Sequence, residues 1–309
     1  MDTYRIVEDS FRSLVIGHAQ VERLWSGGRW LEGPVYWADA GMLVFSDIPN
    51  DRLLRAVDES VTVFRSPSRH ANGNTRDREG RLITCEHGSR SVTRTEHIGA
   101  VTTLAHRYEG KRFNSPNDVV VHSDGSVWFT DPDYGITSDY EGDRAESEVG
   151  GCHVYRLDPG TRAVTRVIDT MVKPNGLAFS LDESILYVSD TGRTHDPDGP
   201  PHIRSFRVRT DAVLDDLGVF AVVDPPASDG FRIDENGNLW TSAGDGVHCY
   251  APDGTLLGKV LVPERVSNVA FGGPRRNRLF ITATTSLYSI YLAVRGAPAI
   301  DQPPPVGPH

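Results

Sequence analysis

One pattern constrains this chain more than any other: a polar loop, an apolar strand, a Gly-containing turn and a second apolar strand, repeated along the sequence. The clearest copy is Asn114-Ser115-Pro116-Asn117-Asp118 followed by VVVHSDGSVWFTDP, which reads as a β-hairpin with side-chain amides at one end. It returns at Lys173-Pro174-Asn175-Gly176 before LAFSLDESILYVSD and at Ser228-Asp229-Gly230 before FRIDENGNLWTSA. Weaker copies start at Glu32-Gly33-Pro34, Asn72-Gly73-Asn74 and Ser267-Asn268. Anchored on Glu32, Asn72, Asn117, Asn175, Asp229 and Asn268, the copies lie roughly 40 to 60 residues apart, the period of propeller blades with loop insertions. The expected fold is all-β, a six-bladed β-propeller with one blade per anchor.

A ring of blades must close, and the last anchor is followed by only about two clear strands. The alternating stretch from Val21 to Trp25 is therefore expected to complete the C-terminal blade. Residues 1–295 read as one propeller domain and 296–309 as a Pro-rich tail. No apolar run is long enough to span a bilayer, and acids precede any apolar stretch at the N-terminus, so a cytoplasmic location is expected. The net charge of -10 argues against nucleic acid or an anionic membrane as partner. Cys85, Cys152 and Cys249 are widely separated and read as small strand residues rather than disulfides or metal ligands. The oligomeric state is left open between monomer and dimer.

In a propeller the innermost strand of every blade runs along the central axis, so the leading ends of these strands converge although they are distant in sequence. The anchors would then form a ring of two carboxylates and four amides with no evident Lys or Arg at an equivalent position. Uncompensated negative charge of this kind calls for a divalent cation. Oxygen donors without Cys or His suit Ca2+, with Mn2+, Mg2+ and Zn2+ as competitors. The ends of the second strands, Asp47, Glu86, Asp131 and Asp190, return to the same face and could orient ligands or bind sugar hydroxyls. His87 is a candidate donor to substrate, and Asn114 accompanies Asn117 in its loop. Two polar segments, 133–149 and 191–201, interrupt the strand rhythm on this face and could wall the cavity with Tyr134 and His195. The acidic stretch 139–148 could equally be a lid or an assembly surface.

Across LEGPVYW, GRLITCEHGSRSVTR, FNSPNDVVVHSDGSVWFTDPDYG, PNGLAFSLDESILYVSDT and SDGFRIDENGNLWTSAGDGV the chain resembles the senescence marker protein, gluconolactonase and regucalcin-like family, above all its bacterial gluconolactonase branch. The resemblance implies a six-bladed propeller with an axial divalent metal and hydrolysis of small-molecule substrates, usually sugar lactones. It places the metal-binding glutamate on Glu32, the asparagine on Asn175 and the aspartate on Asp229, which is also the implied catalytic base. Asn117 matches a further asparagine facing metal or substrate. Animal members carry an arginine shortly before the counterpart of Asn117, and Arg112 does not stand at that spacing. Asn114, Asn117, Glu86, His87, Asp131 and Tyr134 form the expected substrate-binding set. In chemical terms, a metal ion would polarise the lactone carbonyl while Asp229 or a metal-bound water drives attack. The alternatives are an organophosphate or other ester hydrolase of the same architecture, or a non-catalytic calcium-binding propeller.

Overall fold

The computed structural model describes residues 3–58, 60–210 and 213–298. Six antiparallel sheets follow one another around a ring. Their innermost strands, in order, are Leu31–Trp37, Ala71–Arg76, Val119–Val121, Pro174–Phe179, Phe231–Ile233 and Val266–Gly272. Each packs against the innermost strand of the next blade, and the last returns to the first, so the six edges surround an axis. Apolar clusters fill the wedges between blades, as where Ile83 and Cys85 meet Val119, Phe129 and Tyr155. The cysteines are free and the two within strands, Cys85 and Cys249, are buried, which fits their reading as small core residues.

The closing strand is Glu22–Ser26, one residue beyond the expected start and end, and it pairs with Ser286–Tyr291 as the outer strand of the sixth blade. A second N-terminal contribution went unread in the sequence. Tyr4–Ile6 adds a fifth strand to the fifth blade by pairing with Leu256–Leu261. Between these two strands, the short 3-10 helix Asp9–Ser13 drives Phe11 into the seam between the fifth and sixth blades, against Trp240 at 5.8 Å between ring centroids. Gly258 leaves room for that ring, since a Cβ there would lie 2.3 Å from Phe11 Cδ1.

Of the expected C-terminal tail, Gly296 to Pro298 fold back on the fifth blade, with Ala297 N–H donating to Ile233 O at 3.0 Å; residues 299–309 lie outside the described residues. No helix among the described residues is long and apolar enough to cross a membrane.

Candidate active site

Four of the six anchors sit at irregularities in the ladder, while Asn117 and Asp229 lie just ahead of their strands. The register of the innermost strand slips between Glu32 and Val35, Ala71 and Asn74, Pro174 and Leu177, and Val266 and Asn268. An extra residue at the bulge leaves the polar side chain outside the regular in-and-out alternation, free to face the axis. The glycine after an anchor then lets neighbouring blades meet there. A Cβ on Gly73 would lie 2.4 Å from Asn117 O, and one on Gly176 would lie 2.1 Å from Asp229 O. Both backbone amides use this closeness: Gly73 N–H donates to Asn117 O at 2.7 Å and Gly176 N–H to Asp229 O at 2.8 Å.

At the anchor end the axis opens into a cavity of about 270 Å³. Glu32, Asn72, Asn117, Asn175 and Asp229 line its floor, and both long loops wall it, one with Tyr134, Tyr140 and Glu141, the other with Thr191, Thr194 and His195. Tyr134 ties the loops together through hydrogen bonds that its hydroxyl shares with Thr191 Oγ1 at 2.7 Å and Thr194 Oγ1 at 2.8 Å. The sixth anchor, Asn268, is buried behind the floor and donates to Glu32 Oε2 at 3.0 Å. Trp30, Glu141 and Arg265 are cavity residues that sequence reasoning missed. Arg265 sits three places before Asn268 in an exposed loop, at the same offset as Arg29 before Glu32 and Arg69 before Asn72.

The charge at the floor is unbalanced. Burial, then the charge of Asp229, holds the Glu32 carboxyl well above the usual range, although Gly33 N–H and Asn268 counter this. Burial first, then the charges of Glu141 and Asp118, pushes Asp229 up to about 7, while Glu32 and Asn175 act in the opposite direction. Asp118, one residue past the anchor Asn117, is also raised by burial, and Arg232 offsets it from 3.9 Å. No cation stands among the main influences on Glu32 or Asp229. Glu32 Oε1 and Asn72 Oδ1 are buried without a hydrogen-bond partner. Orphaned oxygens beside two mutually repelling carboxylates fit a hard divalent cation. Among the described residues no three His, Cys, Asp or Glu side chains form a metal-ready group, so the amides of Asn117 and Asn175 are needed to complete the donor set.

Four of the expected substrate-binding residues, Asn114, Asp131, Glu86 and His87, do not line the cavity. Asn114 is fully buried and donates its amide to Gly151 O at 2.7 Å. Asp131 accepts from Asn114 N–H at 2.9 Å and Ser115 N–H at 2.8 Å, and burial pushes its carboxyl up to about 7 despite these bonds. Glu86 is consumed by Arg65 at 2.9 Å, Ser89 at 2.6 Å and Thr93 at 2.9 Å. The reason recurs in the other blades: the acid ending a second strand grips the chain entering the anchor. Asp190 accepts from Val172 and Lys173 N–H at 2.8 and 2.9 Å, and Asp47 from Arg29 N–H at 3.0 Å. Arg112 is also outside the cavity, its backbone N–H donating to Glu148 at 2.7 Å.

His87 stands directly behind Asn72. Its Nδ1 is 2.9 Å from the carbonyl oxygen of Glu141, which can only accept, so Nδ1 carries the proton and Nε2 accepts from Asn72 Nδ2 at 3.2 Å. Burial lowers His87 to about 4, keeping the ring neutral in this role.

Comparison with known proteins agrees with this architecture. A gluconolactonase of Zymomonas mobilis is 32% identical over 295 residues, covering 87% of this chain and 80% of that protein. The solved gluconolactonase of Xanthomonas campestris superposes with a TM-score of 0.88 at 39% identity, covering 94% of this chain and 95% of that one. A calcium-binding regucalcin from Agrobacterium tumefaciens shares the fold at 18% identity, with a TM-score of 0.73 over 90% of this chain and 96% of that one. The family model described as the SMP-30/Gluconolactonase/LRE-like region matches residues 30–285, a span that contains every blade's innermost strand and every cavity residue named above, and the chain belongs to that family.

Proposed function

We propose that this protein hydrolyses sugar lactones, opening the cyclic ester to the hydroxy acid. One arrangement carries the reading: Glu32, Asn117, Asn175 and Asp229, from four separate blades, converge on one small cavity that pairs two carboxylates with two amides. Lactone hydrolysis needs an acceptor for a proton of the attacking water and a donor for the ring oxygen that leaves. Asp229 takes a proton from water as the water oxygen bonds to the carbonyl carbon. It returns that proton to the ring oxygen as the C–O bond breaks, so atoms and charge balance. The identity of 32% and 39% to proteins named gluconolactonase supports a lactone over a phosphotriester as substrate.

Glu32, Asn117, Asn175 and Asp229 would hold a divalent cation, and their oxygen donors suit calcium best. When bound, such an ion supplies Lewis-acid polarisation of a carbonyl oxygen. Asn268 and Gly33 N–H fix Glu32 through Oε2 and leave Oε1 for that purpose.

The test is turnover of D-glucono-1,5-lactone beside a phosphotriester, with each cation added in turn, for the wild type, Asp229→Asn and Glu32→Gln. Calcium titration followed by thermal unfolding reports ion binding separately from activity. Lactone turnover that falls at least about a hundredfold in folded Asp229→Asn supports the assignment. Unchanged turnover in that variant removes Asp229 from the mechanism, and turnover of the phosphotriester alone selects the other hydrolase.

A further inference from the structure

The loop after the third blade's second strand crosses the cavity mouth as a strap pinned at several points. Gly135 N–H donates to Ser115 Oγ at 2.9 Å, and Ala145 N–H returns to Ile136 O at 3.0 Å. Gly142 packs so closely on Gly135 that a Cβ would lie 2.2 Å from the Gly135 carbonyl oxygen. Farther along, the carbonyl of Glu141 takes the proton of His87 in the second blade, and the ring of Tyr140 lies under the Arg29 guanidinium ahead of the first, 4.9 Å away. The strap therefore spans three blades with its backbone and aromatic contacts already committed. One side chain is left over. Glu141 lines the cavity, and its carboxylate has no hydrogen-bond or ion-pair partner among the described residues.

Carboxylates held at a cavity wall without a protein partner are strong acceptors for ligand hydroxyls. Near Glu141 the lining is hydroxyl-rich, with Thr137 and Ser138 on the strap and Thr191 and Thr194 on the facing loop. The ester carbonyl is handled at the axial floor, so the rest of a sugar lactone must face this wall.

We propose that Glu141 is a substrate-positioning carboxylate that accepts hydrogen bonds from the hydroxyl groups of the lactone, and that it sets a preference for polyhydroxylated lactones over plain aliphatic ones. This deepens the lactonase reading and rests on it. The pin to His87 comes from the backbone of residue 141, so removing the side chain leaves the strap's attachment in place.

The experiment compares wild type, Glu141→Ala and Glu141→Gln on D-glucono-1,5-lactone and on δ-valerolactone, which has the same ring and no hydroxyls. A lost charge-assisted hydrogen bond lowers kcat/KM for the sugar lactone about tenfold to a hundredfold in Glu141→Ala, chiefly through KM. Because the charge of Glu141 also raises Asp229, each variant is assayed across pH; at the plateau above the Asp229 titration, turnover of δ-valerolactone stays within about twofold, and Glu141→Gln, which keeps an acceptor oxygen, recovers part of the loss on the sugar lactone. Equal falls on both substrates at that plateau overturn the inference, as does no change on either. A wild type that hydrolyses neither substrate removes the lactonase reading along with it, whereas a wild type that hydrolyses both with an unaffected Glu141→Ala removes the inference alone.

Discussion

Asn268 donates its side-chain amide to Glu32 Oε2 at 3.0 Å, joining the last blade to the first beneath the cavity floor. Gly33 N–H occupies the same oxygen at 2.7 Å, so the carboxylate is held from one side while Oε1 has no protein partner. Replacing Asn268 by Leu strips one of these donors from a buried carboxylate whose ionisation is already opposed by its surroundings. The expected result is a stability loss of about 1 to 3 kcal/mol and weaker calcium binding, read from denaturant unfolding with and without the ion. Unchanged affinity with lowered stability would confine Asn268 to the ring seam.

Asp190 grips the segment leading into Asn175 by accepting from Val172, Lys173 and Gly192 N–H at 2.8, 2.9 and 3.2 Å. Truncation to Ala leaves these buried donors without their acceptor and lets the anchor loop move. We expect Asp190→Ala to cost about 3 kcal/mol or more and to depress kcat, with Asp190→Asn recovering part of the stability because one side-chain oxygen survives. Thermal unfolding beside lactone turnover checks both. A variant that loses activity with its melting temperature intact would point to a more direct role for Asp190.

The blade repeat and the converging anchors were legible because each blade must present the same alternating strands and the same polar entry. What the acids at the strand ends do was not legible, since Asp131 as a backbone acceptor and Asp131 as a substrate ligand have the same sequence appearance. Asp118 was hidden differently: it follows Asn117 in the same motif, and only the path of the chain at the axis decides which of two adjacent side chains faces the cavity. The strand Tyr4–Ile6 is too short for periodicity to reveal. The glycines after Asn72, Asn175 and Asp229 serve close approach of neighbouring blades, which the sequence alone does not distinguish from turn chemistry.

Gly176 is the sharpest case of that close approach. Its amide hydrogen-bonds to Asp229 O and its Cα hydrogen occupies the space a methyl group would need, 2.1 Å from the same oxygen. Gly176→Ala must push the fourth and fifth blades apart at the point where Asp229 is aimed. Overpacking of this kind costs about 1 to 3 kcal/mol, and the displacement should lower kcat/KM by more than the stability loss alone accounts for at a temperature where the variant is folded. Activity equal to wild type would mean that the blades relax without moving the aspartate.

Phe11 makes a prediction about the ring as a whole. It is fully buried between the fifth and sixth blades, and the residues on either side of its short helix belong to the outer strands of those two blades. Phe11→Ala should cost about 3 to 5 kcal/mol, measured by reversible denaturant unfolding, and should do so without altering KM because the cavity lies at the axis. A shift in KM at unchanged stability would show that the N-terminal clamp communicates with the cavity.

His87 gives the pH dependence a definite sign. Its folded value of about 4 lies below the ordinary imidazole value near 6.5, because burial disfavours the charged ring and the charge of His70 adds to this, while the Glu141 carbonyl opposes it. The unfolded chain therefore binds a proton on this ring at a higher pH than the folded one. The associated stability is fully present above about 6.5 and is lost as pH falls toward about 4, a total of about 3 kcal/mol for this group. Raised carboxyls on the same face, Glu141, Asp131 and Asp229, act in the opposite direction, since a raised carboxyl loses stability as pH climbs toward about 7. Comparison with His87→Gln separates them: the difference in unfolding free energy between wild type and variant should shrink as pH drops from about 6.5 to about 4. A difference that is flat across that range would mean that the ring titrates near its ordinary value, and that Nε2 does not serve as the neutral acceptor for Asn72.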